Sequence, residues 1–108
     1  MILKAMESRR KIMLDISIIR DTVSKYAAAY GAEKEFLFGS HARGEANEKS
    51  DVDLRIDKGS ITGGIALAGM LLDIQDDLGV NVDMVTTGSL TPDFLAKIQK
   101  EEKVLYER

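Results

Sequence analysis

The chain has no cysteine and no tryptophan, and it has a single proline among its 108 residues. Without thiols it forms neither disulfides nor thiolate metal sites. It has no apolar run that approaches the ~20 residues of a membrane span. Its first residues lack the apolar segment of a signal peptide, because Glu7, Arg9 and Lys11 interrupt it. We therefore expect a cytoplasmic protein without membrane contact.

Basic residues are also too few to dominate the surface. The chain has 15 Lys and Arg against 18 Asp and Glu, which gives a formal net charge of -3. A protein that binds the nucleic-acid backbone needs a basic excess, so there is no strong nucleic-acid signal. Apolar residues make up 44% and charged residues 31%, which is typical of a folded globular protein. We expect residues 1–108 to form one domain.

Apolar periodicity predicts helices that alternate with strands. Helices are predicted at 14–30, at 62–78 and after Thr91-Pro92, and strands at 33–38, 51–57 and 80–85. Residues 104–106 form either a final strand or a docked turn, residues 39–50 form a loop with room for one helical turn after Ser40, and residues 1–13 either extend the first helix or fray. This order predicts an α/β (α+β) fold, with a small mixed β-sheet packed by helices on one face and acids on the other.

The acids of the second predicted strand are the most informative feature. Asp51 and Asp53 lie on one side of the strand, because side chains two apart share a face. Like charges this close repel, and Asp is a poor strand residue, so a cation is expected to offset the cost.

Asp83 occupies the polar side of the third predicted strand. If the two strands are neighbours, the three carboxylates converge. Oxygen ligands favour Mg²⁺ or Mn²⁺, and three carboxylates could hold two ions ~3.5–4 Å apart.

A Gly39-Ser40 turn precedes these acids. Glycine lets the backbone approach a phosphate closely, and the N–H groups of the following turn form an anion nest. Arg43, and less directly Lys49, could neutralise phosphate charge, with Arg43 the better bidentate donor. Together with the acids, this turn suggests a site for a nucleoside triphosphate and its metal.

Less specific interpretations remain open. A Gly-Ser pair alone is usually just a turn, and an isolated Asp-x-Asp is usually a solvated strand. Arg55 lies on the same face and could pair with Asp53 or Asp57, which would remove the need for a metal. His41 is expected to be a surface turn residue, because a single histidine has no partner for a triad or a metal site.

Residues 37–54 read LFGSHARGEANEKSDVDL, and residues 80–85 read VNVDMV. This order of a Gly-Ser turn, a spacer, Asp-x-Asp and a third acid on a later strand resembles the nucleotidyltransferase superfamily with the DNA polymerase β-type fold. The length is similar to that of the minimal nucleotidyltransferases, called MNT. The resemblance covers nearly the whole chain.

The resemblance implies a role for each matching residue. Gly39 and Ser40 would bind the triphosphate, and Asp51 and Asp53 would ligate the metals. Asp83 would hold the catalytic metal and help to deprotonate the acceptor. Relatives often have a small or apolar residue where this chain has Arg55, which could tune the acid cluster or contact the acceptor.

The resemblance also implies a partner. MNT proteins often act as antitoxins of HEPN-domain ribonuclease toxins, and such a protein can transfer AMP from ATP to a tyrosine hydroxyl of the toxin. Two alternatives stay open. One is a binding module that silences its partner by steric contact. The other is transfer to a small molecule such as an aminoglycoside, for which a homodimer would have to supply the acceptor site.

Overall fold

The computed structural model describes residues 14–108, so the expectation for residues 1–13 lies outside the described residues. The helices are α1 (Ile16–Tyr30), α2 (Gly39–Arg43), α3 (Gly64–Leu78) and α4 (Pro92–Gln99), with a 3₁₀ turn at Thr87–Ser89. The strands are β1 (Lys34–Phe38), β2 (Val52–Asp57), β3 (Val82–Thr86) and β4 (Lys103–Glu107). None of the helices in this part of the chain is long and apolar enough to cross a membrane.

Residues at the helix ends explain where α1 begins and ends and where α4 begins. The Asp15 side chain accepts the N–H of Ile18 at 3.0 Å and so caps α1. Gly31 ends that helix in the left-handed conformation (φ 89°), as a C-terminal glycine commonly does. Thr91 caps α4, and Pro92 takes its first position, where a missing N–H costs nothing.

The four strands form one sheet in the order β3-β2-β1-β4. β2 and β3 are parallel and joined by α3, whereas β1 pairs antiparallel with both β2 and β4. The predicted mixed sheet is confirmed, and residues 104–106 form a strand. Because of these directions, the end of β1 and the starts of β2 and β3 meet at one end of the sheet, which we call the site end.

The helices α1 and α3 cover one face of the sheet. Buried side chains pack between them, including Ile19, Val23, Leu37, Val52, Leu54, Ile56, Met70 and Ile74. The opposite face carries Phe38 and Asp53, which are register partners on β1 and β2. Helix α4 reaches this second face through Phe94, whose ring meets Phe38 edge to face at a centroid distance of 6.4 Å.

Some predicted boundaries differ from the structure by about two residues. α3 begins at Gly64 rather than at residue 62, because Gly63 has a positive φ of 83° that no helix continues through. β3 begins at Val82 rather than at residue 80. The predicted loop 39–50 opens with α2, which follows β1 without an intervening residue.

Candidate active site

Two of the predicted acids are direct neighbours on the sheet. Asp53 and Asp83 are register partners on the parallel strands β2 and β3, so their side chains project from the same face. Asp51 lies two residues before Asp53 and is exposed. Burial raises the pKa of Asp53, the negative charges of Asp83 and Asp51 raise it further, and Arg43 opposes them. Asp83 and Asp51 are therefore both close enough to Asp53 to influence it.

The acids fit a metal ion whose remaining coordination positions are filled by water and by the substrate. Among residues 14–108, no group of three or more His, Asp or Glu side chains is arranged to hold a metal ion by itself. Mg²⁺ usually takes one or two protein carboxylates and fills its octahedron with water and substrate phosphates. Asp53 and Asp83 provide that kind of donor set, with oxygen ligands on adjacent strands.

The Gly39-Ser40 turn lies directly on Asp53. Gly39 has a φ of 76°, and a Cβ there would overlap Oδ2 of Asp53 and lie 3.1 Å from its Cγ. Only glycine combines this backbone conformation with so close an approach. The turn and the central acid therefore form one unit.

Helix α2 begins at this turn and ends at Arg43, with Gly44 as its C-cap. Ser40 is half-buried in its first turn, while His41 and Ala42 are buried. The expectation that His41 is a surface residue is wrong, since its side chain is only 7% exposed. The reason is that α2 starts immediately after β1 and packs against β1 and β2. Within the described residues, Nε2 of His41 has no hydrogen-bond partner.

Arg43 lies at the end of α2 and is exposed. Its Nε donates to Glu45 Oε1 at 2.8 Å, and its Nη1 donates to Glu101 Oε2 at 2.9 Å. The same oxygen of Glu101 accepts the backbone N–H of Gly39 at 2.7 Å. Sequence reasoning missed Glu101. No spacing signals it, because the contact depends on how the turn after α4 folds back against the end of β1.

Arg55 does not neutralise the site. It is buried and donates to both carboxylate oxygens of Glu102, at 2.6 and 3.0 Å, and to Thr87 Oγ1 at 2.8 Å. Its Nη1 lies 3.7 Å from Asp57, one of its two predicted partners. The other predicted pairing, with Asp53, does not form. Because Arg55 bonds to Glu102 instead, the oxygens of Asp53 remain available to another ligand.

An open cleft of ≈ 530 Å³ adjoins Asp51. It lies between the segment 48–51 and the end of α3 with the residues that follow it. Lys49 and Asn81 line it with Asp51. Since β2 lies between β3 and β1, this cleft is on the β3 side of the site, and the Gly39 turn is on the β1 side. Lys49 thus belongs to the cleft beside Asp51.

Comparison with known proteins agrees with this geometry. Residues 19–108 match the family described as "Polymerase beta, Nucleotidyltransferase". Protein adenylyltransferase MntA of Thermococcus cleftensis is 32% identical over 72 residues, which cover 67% of this chain and 73% of that protein.

Two solved structures have the same fold. A structure described as a minimal nucleotidyltransferase has a TM-score of 0.73 and 32% identity, and the match covers 83% of this chain and 95% of that one. An MNT antitoxin in complex with a tri-AMPylated HEPN toxin of Shewanella oneidensis has a TM-score of 0.66 and 17% identity, covering 86% and 73%. The match over residues 19–108 shows that this chain belongs to the polymerase beta nucleotidyltransferase family and is an enzyme of the nucleotidyltransferase type.

Proposed function

We propose that the protein transfers AMP from ATP to a tyrosine hydroxyl of a HEPN-type toxin and thereby acts as its antitoxin. The observation that carries the chemistry is the in-register pair Asp53 and Asp83, with Asp53 in direct contact with the Gly39 turn. The partner class is supported by the MntA relative and by the complex of an MNT antitoxin with an AMPylated HEPN toxin. ATP as substrate implies a cytoplasmic location.

The residues divide the reaction between them. The N–H groups of the Gly39-Ser40 turn and the Arg43 guanidinium bind the triphosphate. The acceptor oxygen forms a bond to the α-phosphorus, and the bond to pyrophosphate breaks. Asp83 lies beside the reacting centre and helps to take the proton of the hydroxyl. Asp51, Asp53 and Asp83 would hold the metal, two ions of Mg²⁺ or Mn²⁺. These ions would stabilise charge on the attacking and leaving oxygens.

The cleft beside Asp51 gives the acceptor a way in. In an in-line displacement, the entering hydroxyl and the leaving pyrophosphate lie on opposite sides of the phosphorus. With the triphosphate on the Gly39 side of β2, the acceptor would approach from the β3 side, and Asp51 is the site acid that lines the cleft there.

The direct test is AMP transfer from labelled ATP to the purified partner. Asp53→Asn and Asp51→Asn should each lower the transfer rate by about 10²-fold or more, because they remove charge that holds the metal. Asp21→Asn is the matched control, since Asp21 is an exposed acid on α1, across the sheet from the site. Transfer at the wild-type rate in either site variant would rule out the mechanism.

Mass spectrometry of the partner after co-expression separates catalysis from steric inhibition. A mass increase of one or more AMP units is expected. A partner that is inhibited but unmodified would instead support the binding-module alternative.

A further inference from the structure

Glu101 places a carboxylate oxygen between two donors of the proposed triphosphate site. The Gly39 N–H and Arg43 Nη1 both donate to Oε2, at 2.7 and 2.9 Å. Gly39 is the residue whose turn passes over Asp53. A backbone N–H and a guanidinium that converge on one anionic oxygen are the donors that proteins also use for phosphate.

The position of Glu101 adds negative charge where the acids are already crowded. Its charge is among the influences that raise the pKa of Asp53, together with Asp83 and Asp51. A nucleotide that arrives with its metal would take over both donors of Glu101 and would also neutralise the acids. The contacts of Glu101 with the Gly39 N–H and Arg43 are therefore favourable when no nucleotide is bound. When a nucleotide is bound, its phosphate oxygens replace Glu101 at both donors.

The turn after α4 has an attachment to the sheet that does not depend on Glu101. The neighbouring Glu102 is held by the buried Arg55 through two hydrogen bonds, which fix the backbone from the inside. The Glu101 side chain is 23% exposed and is bound only at its tip. Both donors bond to the single oxygen Oε2, so a rotation of the Glu101 side chain that moves this oxygen away would free the Gly39 N–H and Arg43 together.

We propose that Glu101 is an internal competitor of the nucleotide, whose carboxylate occupies a phosphate-oxygen position and is displaced when the triphosphate binds. This rests on the proposed function, because it assigns the Gly39 and Arg43 donors to the triphosphate. It makes Glu101 a residue that sets nucleotide affinity.

The test is the dissociation constant of ATP for the full chain, measured by calorimetry with and without Mg²⁺. Glu101→Gln keeps the size of the side chain and an oxygen that can accept from Gly39, but it removes the charge. We expect a dissociation constant about fivefold lower or better. Glu101→Ala should show the same direction, and a thermal melt of each variant verifies that it is folded.

Glu45→Gln is the matched control. It removes an equal charge that also contacts Arg43, at 2.8 Å, but Glu45 does not hold the Gly39 N–H in the structure. Its affinity for ATP should change by less than about twofold. If Glu45→Gln tightens binding as much as Glu101→Gln, the effect is one of general charge and the proposal is wrong.

The other outcomes separate the two proposals. If wild type binds ATP and the Glu101 variants bind it equally or more weakly, the competitor role is wrong and the proposed function stands. If neither wild type nor the variants bind ATP, the proposed function fails and the competitor role fails with it. Inorganic tripolyphosphate should repeat the ATP result, since the competition concerns phosphate oxygens.

Discussion

At the scale of single residues, Gly39 joins backbone geometry to chemistry. Its positive φ turns the chain over Asp53, and its N–H points at an anion. A side chain at this position would have to displace the carboxylate beneath it. The glycine is thus required twice, once for its conformation and once for its lack of a Cβ.

Gly39→Ala should therefore lower the free energy of unfolding by more than the backbone strain of an alanine with positive φ accounts for. We expect a loss of about 1–2 kcal/mol in the free energy of unfolding from the positive φ alone, and a further loss from the clash with Asp53. Gly44→Ala is the control, since Gly44 has a similar φ of 74° but open space around its Cβ position. Urea denaturation and ATP binding check this. Equal effects of the two substitutions would show that the contact with Asp53 does not matter.

Glu35 is a carboxyl group in the core. It lies on β1 opposite Ile56 and Tyr106, is fully buried, and has no hydrogen-bond partner for either oxygen within residues 14–108. Burial raises its pKa from an ordinary value of 4.5 to about 8. The folded protein therefore keeps Glu35 protonated at pH values where the unfolded chain has lost that proton.

This pKa predicts how stability depends on pH. The contribution of Glu35 is fully present below pH 4.5 and is lost as the pH rises to about 8. The free energy of unfolding should fall by at most about 1.4 kcal/mol per pH unit in that window from this group. Glu35→Gln should flatten the slope, while the exposed Glu33→Gln should not. Denaturation series at several pH values check this, and an unchanged slope in Glu35→Gln would contradict it.

At the scale of secondary-structure elements, the pair of Arg55 and Glu102 joins β2 to the turn between α4 and β4. Both side chains are largely buried, at 5% and 11% exposure. The Arg55 guanidinium also lies 4.0 Å from the centre of the Phe36 ring. On the second face of the sheet, a buried ion pair thus covers part of the surface, whereas the first face is covered by apolar side chains.

Breaking this pair should be strongly destabilising. Glu102→Ala removes both carboxylate hydrogen bonds of the buried Arg55 and leaves it only Asp57, at 3.7 Å, as a counter-ion, so we expect a loss of about 3–5 kcal/mol in the free energy of unfolding. The double variant Arg55→Met with Glu102→Leu should recover much of that loss. Lys25→Met is the comparison, since the pair of Lys25 and Asp77 is exposed and should contribute little. Similar urea midpoints for Glu102→Ala and Lys25→Met would refute the buried-pair argument.

At the scale of the whole molecule, patterns with a fixed period could be predicted and contacts between distant segments could not. The alternation of Val52, Leu54 and Ile56 gave the face of β2 correctly, because strand side chains alternate regardless of context. The same alternation assigned Asp53 and Asp83 to polar faces, and the parallel pairing of their strands then made them neighbours.

The errors arose where tertiary packing decides the environment. A single histidine has no partner for a triad or a metal site, so His41 is predicted to be a surface turn residue, but it is buried where α2 packs against β1 and β2. The partner of Arg55 is 47 residues away in the sequence, and Glu101 is 62 residues from Gly39. No local pattern encodes such separations.

The assembled site makes a further prediction for the whole chain. ATP with Mg²⁺ should stabilise the folded protein, by about 2.7 kcal/mol at a hundredfold excess over its dissociation constant. For a chain of this size, that should raise Tm by about 10 °C or more. Asp53→Asn should largely remove the shift. If ATP at concentrations up to the millimolar range does not change Tm, this would argue against a nucleotide site.

The parallel pairing of β2 and β3 also has a consequence for folding. Parallel strands need a crossover connection, and here α3 and its flanking turns provide the one that brings Asp53 and Asp83 side by side. A partly folded chain that keeps the hairpin of β1 and β2 has the glycine turn but only half of the acid pair. Nucleotide affinity should therefore disappear together with α3 as the chain unfolds, so that catalytic competence is acquired all at once, when the crossover closes.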